Sequence, residues 1–358
     1  MEKTTCLRNR KIISVVIFYF LFFYVSYAQQ DSVSSMYKSG WVIPATFCKP
    51  FLADLSSTIT SAGIGISKNE KEYDLSPSKV KAYNTTFLAN VGVSIPIFTK
   101  NFNNNRFGWA LSTPVHFQLW LDIFEKTTSP VLNTDYSAAV IEVKFIQRLN
   151  HKYFRNYSIK FVPLYHQSTH LGDELTIYRM EQKLALTRVN VSYYYWELSL
   201  WINESERRTG KNHSFRGGFM HLLNPERGWY SIRPQEGNAD LVIPEKRPYE
   251  FYLQYQLQTG RYFLSSNKFQ NVLSMEVRNR PKYNYPYSIY EEGIWSDEKP
   301  TRASQWNFNL YYGWRIIQEA FPYHNLGFGI QAYMGGNPHG QFRDIPGYRY
   351  VGVTMVFE

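Results

Sequence analysis

From residue 56 onward the chain is built of short runs in which apolar and polar residues alternate. In 268–279, Phe269, Leu273, Met275 and Val277 share one face with Asn271, while Gln270, Ser274, Glu276 and Arg278 share the other with Val272. In 305–318, one face carries Trp306, Phe308, Leu310, Tyr312, Trp314 and Ile316, and the other carries Gln305, Asn307, Asn309, Gly313 and Arg315. A period of two held over this length is the pattern of a strand with one apolar and one polar face. Helical periodicity is nearly absent after the N-terminus. The alternating runs predict twelve strands, at 56–67, 86–97, 107–122, 136–148, 155–168, 187–200, 212–222, 249–259, 268–279, 305–318, 325–334 and 348–357.

The gaps between these runs alternate in length. Those near 98–106, 149–154, 201–211, 260–267 and 319–324 are short, and those near 68–85, 123–135, 169–186, 223–248, 280–304 and 335–347 are longer. An even number of strands with short turns at one end and long loops at the other is the plan of an outer-membrane barrel. Alternation alone also fits a soluble sandwich, in which the apolar faces would form the core. Two further features select the barrel. Aromatic residues make up 18% of the chain, 29 of them tyrosine, which suits half-wet, half-apolar positions. The run ISVVIFYFLFFYVSYA, 13–28, follows Arg8, Arg10 and Lys11 and ends in small and polar residues, as a secretory signal does. A closed barrel also satisfies every backbone group in lipid, where an open sheet cannot. The expectation is an all-β, antiparallel transmembrane β-barrel of about twelve strands in a Gram-negative outer membrane, with short periplasmic turns and long extracellular loops. Residues 1–28 are the expected signal peptide, 29–55 an N-terminal periplasmic segment that tucks into the periplasmic mouth, and 56–358 the barrel.

The formal net charge of the 358 residues is +10. The basic residues are scattered and form no nucleic-acid motif, so nucleic acid is not expected as a partner. Outer-membrane lipid and lipopolysaccharide, with their anionic headgroups, are the expected contacts. Loss of 1–28 would remove Cys6 and leave Cys48 as the sole cysteine, so no internal disulfide can form. The polar faces collect charges of both signs: Glu142, Lys144, Lys160, Arg188, Glu250, Glu276, Arg278 and Arg315. They either pair across the lumen and fill it, or line a path or pocket for a polar solute.

One stretch carries candidate chemistry. In YHQSTHLGDEL, 165–175, His166 and Ser168 stand two apart at the outer end of a predicted strand. Side chains at i and i+2 share a face, so an imidazole there can serve as base to the hydroxyl. Asn190 on the next strand could orient His166, as could Asp173 or Glu174 in the loop. Strict alternation puts the pair with Asn156, Ser158 and Lys160, facing the lumen; a bulge near Pro163 would reverse that. His170, Asp173 and Glu174 extend the pair into a polar cluster. No cofactor is expected: Asp173 and Glu174 are solvated or hold a cation such as calcium, and two adjacent carboxylates alone do not establish a metal site.

The HQS triplet resembles the His-x-Ser pair of two barrel enzyme families, outer-membrane phospholipase A and the lipid A 3-O-deacylase. That resemblance implies a base, a serine nucleophile and a pair turned toward the membrane. A wider resemblance rests on three segments: ATFCKPFLADL at 45–55, YHQSTHLGDEL, and GGNPHGQF at 335–342. Together they resemble the domain-of-unknown-function 1207 family of bacterial outer-membrane barrels. The matching positions are Pro50, Ala53 and Asp54; His166, Ser168, His170, Gly172, Asp173 and Glu174; and Gly336, Pro338, Gly340 and Gln341. Phe51 departs from that family's leucine. The resemblance implies a barrel with no established activity. The second and third segments both lie at long-loop ends and could converge over the extracellular mouth. Three readings remain open: a barrel with a polar cluster that locks its loops, a serine acyl hydrolase of phospholipid or lipid A, and a narrow pore or solute-binding barrel.

Overall fold

The computed structural model describes residues 38–68, 84–102, 105–123, 131–151, 154–171, 188–205, 211–223, 229–232, 239–241, 248–260, 269–281, 287–291, 294–298, 304–316, 326–340 and 347–357. The signal segment, Gly172, Asp173, Glu174 and Gln341 lie outside the described residues, as do the side chains of Arg188 and Asn190.

Twelve antiparallel strands close into a barrel. They are β1 (Thr60–Lys68), β2 (Asn84–Phe102), β3 (Phe107–Asp122), β4 (Val131–Ala139 continued by Glu142–Arg148), β5 (Asn156–Leu171), β6 (Arg188–Ile202), β7 (Asn212–Leu223), β8 (Tyr249–Gly260), β9 (Phe269–Pro281), β10 (Ser304–Ile316), β11 (Leu326–Gly335) and β12 (Tyr348–Phe357). Each pairs with its neighbours in sequence, and β12 pairs with β1 from Arg349↔Lys68 to Phe357↔Thr60. No described residue lies in an α-helix.

The predicted strands correspond one to one, with three corrections, the first being that the strand expected at 86–97 runs on to Phe102. Residues 56–59 do not belong to β1, which starts at Thr60. The strand expected at 136–148 starts at Val131 and breaks at Val140 and Ile141, both halves lying between β3 and β5. Two small hairpins, Trp229–Ile232 with Ala239–Leu241 and Tyr287–Glu291 with Ile294–Glu298, stand in the long loops where no strand was expected.

The alternation is turned inside out. Trp306 and Phe308 are 51% and 43% exposed, while Asn307 and Asn309 between and beside them are 2% and 4% exposed. A soluble sandwich would reverse those values, so the apolar face is built for lipid. Aromatic pairs gather at both rims: Phe251 with Trp306 at the long-loop end, Trp41 with Phe98 and Trp314 with Phe328 at the short-turn end.

Inside, Tyr252 of β8 lies on Gly218 of β7. A Cβ at Gly218 would sit 2.0 Å from the Tyr252 ring. Gly218→Ala should therefore displace Tyr252 and lower stability by about 1–3 kcal/mol. Urea unfolding of the variant in detergent measures this, and an unchanged midpoint would contradict it.

Candidate functional site

Between Trp41 and Thr60 the chain leaves the wall and passes through the lumen. Gly40 and Trp41 first add to the edge of β2, opposite Thr99 and Phe98. Residues 45–58 then form a plug of tight turns, with Asp54 N donating to Phe51 O at 2.9 Å and Ser57 N to Asp54 O at 3.2 Å. Such turns leave most main-chain groups unpaired, and wall side chains take them up. Cys48 N and Lys49 N donate to Glu204 at 2.7 and 2.5 Å. Trp201 Nε1 donates to Lys49 O at 3.0 Å. Leu52 N donates to Gln256 at 3.1 Å and Ala53 N to Ser274 at 3.1 Å, while Asn309 donates to Ala53 O. Phe47 and Phe51 pack with Ala110, Ile146 and Trp201. The motif PFLAD thus sits on the wall of the lumen, deeper than a periplasmic mouth. Burial pushes the Cys48 thiol above its usual range, which makes it a poor nucleophile.

Asp54 anchors the plug. Its carboxylate accepts from Arg216 Nη1 at 2.6 Å and from Arg278 Nη2 at 3.4 Å. Both guanidiniums lie over the Tyr252 ring, 4.8 and 4.7 Å from its centre. Arg216 continues to Glu197 at 3.1 Å, which also accepts from Tyr252 OH at 2.6 Å. Arg278 pairs with Glu276 at 3.0 Å, and Arg280 with Glu250 at 3.5 Å. Lys144 and Lys160 stand directly opposite each other on β4 and β5. Like charges in that register repel; each is held by its own carboxylate, Lys144 by Glu142 at 2.6 Å and Lys160 by Glu197 at 3.1 Å. The inward charges Glu142, Lys144, Lys160, Glu250, Glu276, Arg278 and Arg315 therefore lie in the lumen. Sequence reasoning missed Glu197, Arg216 and Asp135. Glu197 and Arg216 share faces with Ser199 and Ser214, the signal that could have found them; Asp135 fell just before the expected strand start.

The His-x-Ser pair lies on the other face. Across β5 and β6 the register runs Val162↔Glu197 and then Tyr165↔Tyr195, one extra residue on β5. Val162 and Tyr165 both point inward, at 0% and 5% exposure, which strict alternation forbids. Pro163 explains the bulge, because it has no N–H for the ladder, and it lies opposite the break in β4. The lumen-facing assignment is thereby overturned: Tyr165, Gln167 and Thr169 point inward, and His166, Ser168 and His170 point out. His166 packs against Tyr194, 4.7 Å between ring centres, and His170 stands edge-on to Tyr136 at 5.5 Å. Ser168 lies between Tyr136 and Ser192 on the flanking strands. His166 Nδ1 is buried without a hydrogen-bond partner among the described residues. Asn190 is two residues from Ser192 on β6, its backbone opposite Tyr230.

The third motif turns into the barrel. Gly336 N donates to Asn307 at 2.7 Å, and Tyr333 OH donates to Gly336 O at 2.6 Å. His339 is fully buried and stacks on Trp120, 4.7 Å between ring centres. Its Nδ1 lies 3.8 Å from Asp135, and Gly340 N donates to the same carboxylate at 3.1 Å. A Cβ on Gly340 would meet Asp135 and Thr169 at 2.7 Å, so only glycine fits. The second and third motifs do converge, but inside the lumen and through Thr169. His166, Ser168 and His170 face away from the meeting point.

A closed twelve-stranded antiparallel barrel with a lipid-facing apolar wall, a charged lumen and a chain segment plugging it is the class these features define. Residues 33–203 match the family described as protein of unknown function (DUF1207), which bears out that resemblance over a span holding the first two motifs. No curated protein matches the sequence. Among solved structures, outer membrane phospholipase A from Escherichia coli (an N156A active-site mutant) is 11% identical, with TM-score 0.45, covering 87% of this chain and 94% of its own. LpxR from Salmonella typhimurium is 8% identical, TM-score 0.34, covering 83% and 99%. The translocator domain of the autotransporter NalP from Neisseria meningitidis is 8% identical, TM-score 0.38, covering 85% and 89%.

The Asp54 pair makes a pH prediction. Burial alone would raise this carboxyl, but Arg216 and Arg278 outweigh it and hold it well below the usual carboxylate range. A lowered native value means stability fully present above the unfolded pKa of about 3.9 and lost as pH falls toward the native one. Asp54→Asn should cost about 3–5 kcal/mol at pH 7, because two buried guanidiniums lose their carboxylate. The gap between wild type and variant should narrow at pH 3. Urea unfolding at both values checks this, and a gap that widens in acid would refute it.

Proposed function

We propose that this barrel resides in an outer membrane, long loops outward, and hydrolyses acyl esters of phospholipid or lipid A at its outer wall. The observation that carries the reading is the bulge at Pro163, which turns His166 and Ser168 from the lumen to the lipid-facing side near the long-loop end. A lipid ester reaches that face by lateral diffusion, without entering the barrel. In this reading His166 takes the proton of Ser168 Oγ as the oxygen attacks the acyl carbonyl. The tetrahedral intermediate expels the alcohol, which leaves with that proton, and an acyl-serine remains. Water, deprotonated by His166, then releases the fatty acid and restores the serine. Asn190 is the candidate to orient His166; Nδ1, which has no hydrogen-bond partner among the described residues, is the atom such a group would engage. The plug supports a wall site, because it occupies the middle of the lumen and bonds to several strands.

The test is fatty acid release by the refolded barrel from mixed phospholipid and lipopolysaccharide micelles. Ser168→Ala and His166→Ala should each lose at least about a thousandfold of the activity, and Ser158→Ala, on the inward face, should lose none. A well-folded wild type that releases no fatty acid would end the hydrolase reading.

A further inference from the structure

The plug leaves part of the lumen open. A cavity of about 900 Å³ remains, within the about 300–1,000 Å³ of small-molecule sites. Its lining is mostly apolar, with Phe47, Trp201 and Met220 among it. The charges beside them are already paired: Lys144 with Glu142, Lys160 with Glu197, Arg216 with Asp54 and Glu197, and Arg278 with Asp54 and Glu276. Arg315 donates to Gln270 at 3.2 Å, and Glu204 accepts from Cys48 N and Lys49 N. An ion of either sign would have to break one of these pairs, so the cavity suits an uncharged apolar group.

The cavity also reaches the outer side of the wall. Val91, Leu326 and Phe357 line it, and each stands on the outward face of its strand, Val91 and Phe357 at 55% and 47% exposure. The register shows why. β2 runs on to Phe102, but β1 starts at Thr60, and the two strands pair no further than Ser61↔Asn90. Residues 91–96 of β2 therefore have β3 on one side and no partner strand on the other. Leu326 and Phe357, at the ends of β11 and β12, border the same gap through Thr60. On its long-loop side the gap is closed by the plug's exit, which crosses so close that a Cβ on Gly92 would meet Thr58 at 2.4 Å. On its short-turn side it is closed by Gly40 and Trp41, opposite Thr99 and Phe98. Its edge is adapted to lipid. Gly92 O accepts from Thr60 Oγ1 at 3.3 Å, Ile97 O accepts from Val42 N at 3.0 Å, and Pro96 has no N–H to leave unpaired. The outward residues beside it, Val91, Val93 and Ile95, are all apolar.

We infer that this gap is a lateral window through which the acyl chain of a membrane lipid enters the cavity, its ester and headgroup staying at the wall. The chain passes Val93 and Pro96 and lies against Phe47, Trp201 and Met220, all of which line the cavity. The inference rests on the barrel's residence in a membrane and is independent of the hydrolase reading.

The probe is phosphatidylcholine with a photoactivatable diazirine on one acyl chain, placed either near the ester or near the methyl end, in nanodiscs holding the intact barrel. Labelled residues are identified by mass spectrometry after irradiation. The methyl-end probe should label Phe47, Trp201 or Met220, and the ester-end probe Val91, Val93 or Pro96. Leu253, 66% exposed on the outer wall, reports bulk lipid. Labels on the outer wall with none inside would overturn the window and leave membrane residence standing; no label on a barrel recovered with the nanodiscs would sink membrane residence itself. Ester-end labels inside with methyl-end labels at the window would also overturn the proposal. Val93→Trp, which crowds the window, should cut interior labelling at least tenfold and leave the Leu253 label unchanged. Unchanged interior labelling in the folded variant would mean another route of entry and refute the window. Should that variant fail to fold, the ester-end map on wild type decides: an interior labelled by the methyl end, with Val91, Val93 and Pro96 untouched by the ester end, would place the entry elsewhere. Ser168→Ala should label as wild type does.

Discussion

The constraint on which everything else depends is the closure of the β-ladder. Lipid offers no partners for backbone N–H and C=O groups, so every strand must have two neighbours. The pairing of β12 with β1 supplies the last of them. Closure fixes one face of every strand toward lipid and the other toward a narrow interior. The apolar faces can then only lie outside, and the polar and charged faces must be satisfied by one another.

That second demand explains the plug. Arg216 and Arg278 on neighbouring parts of the wall are met by Glu197 and Glu276, and Asp54 joins them from a segment outside the ladder. A buried ion pair of this kind adds little net stability compared with apolar packing, and it penalises any arrangement that leaves one partner unpaired. The plug therefore has one docking position. The wall's neutral groups, Gln256, Ser274 and Asn309, serve its main chain in the way a neighbouring strand would. Residues 336–340 do the same from the long-loop end through Asp135 and Asn307. The interior is thus filled from both ends by chain that is not part of the wall, and the unfilled remainder is the cavity at the short-turn end.

A single residue decides the chemistry of the outer surface. The extra residue at Val162–Tyr165 changes which side of the wall each following side chain occupies. Without it, Thr169, whose hydroxyl donates to Asn133 at 3.0 Å while Asn133 donates to Asp135 at 2.9 Å, would turn outward, and His166 and Ser168 would be buried among lumen polar groups. Pro163 on β5 and the break at Val140 on β4 accommodate each other, so the bulge is shared between two strands.

The sequence by itself determined the strand number, most strand boundaries, and the inward charges on β4, β5, β8, β9 and β10. These follow from a period of two and from local turn chemistry, both readable within ten residues. Tertiary structure alone decided where the motifs went. PFLAD has no alternation, and its place depends on partners more than 150 residues away, Arg216 and Arg278 among them. His339 and Gly340 enter the lumen because Trp120 and Asp135 are there to receive them. The face of His166 and Ser168 was undetermined for a different reason: Pro163 marks where a ladder can slip, but only the opposing strands show that it did.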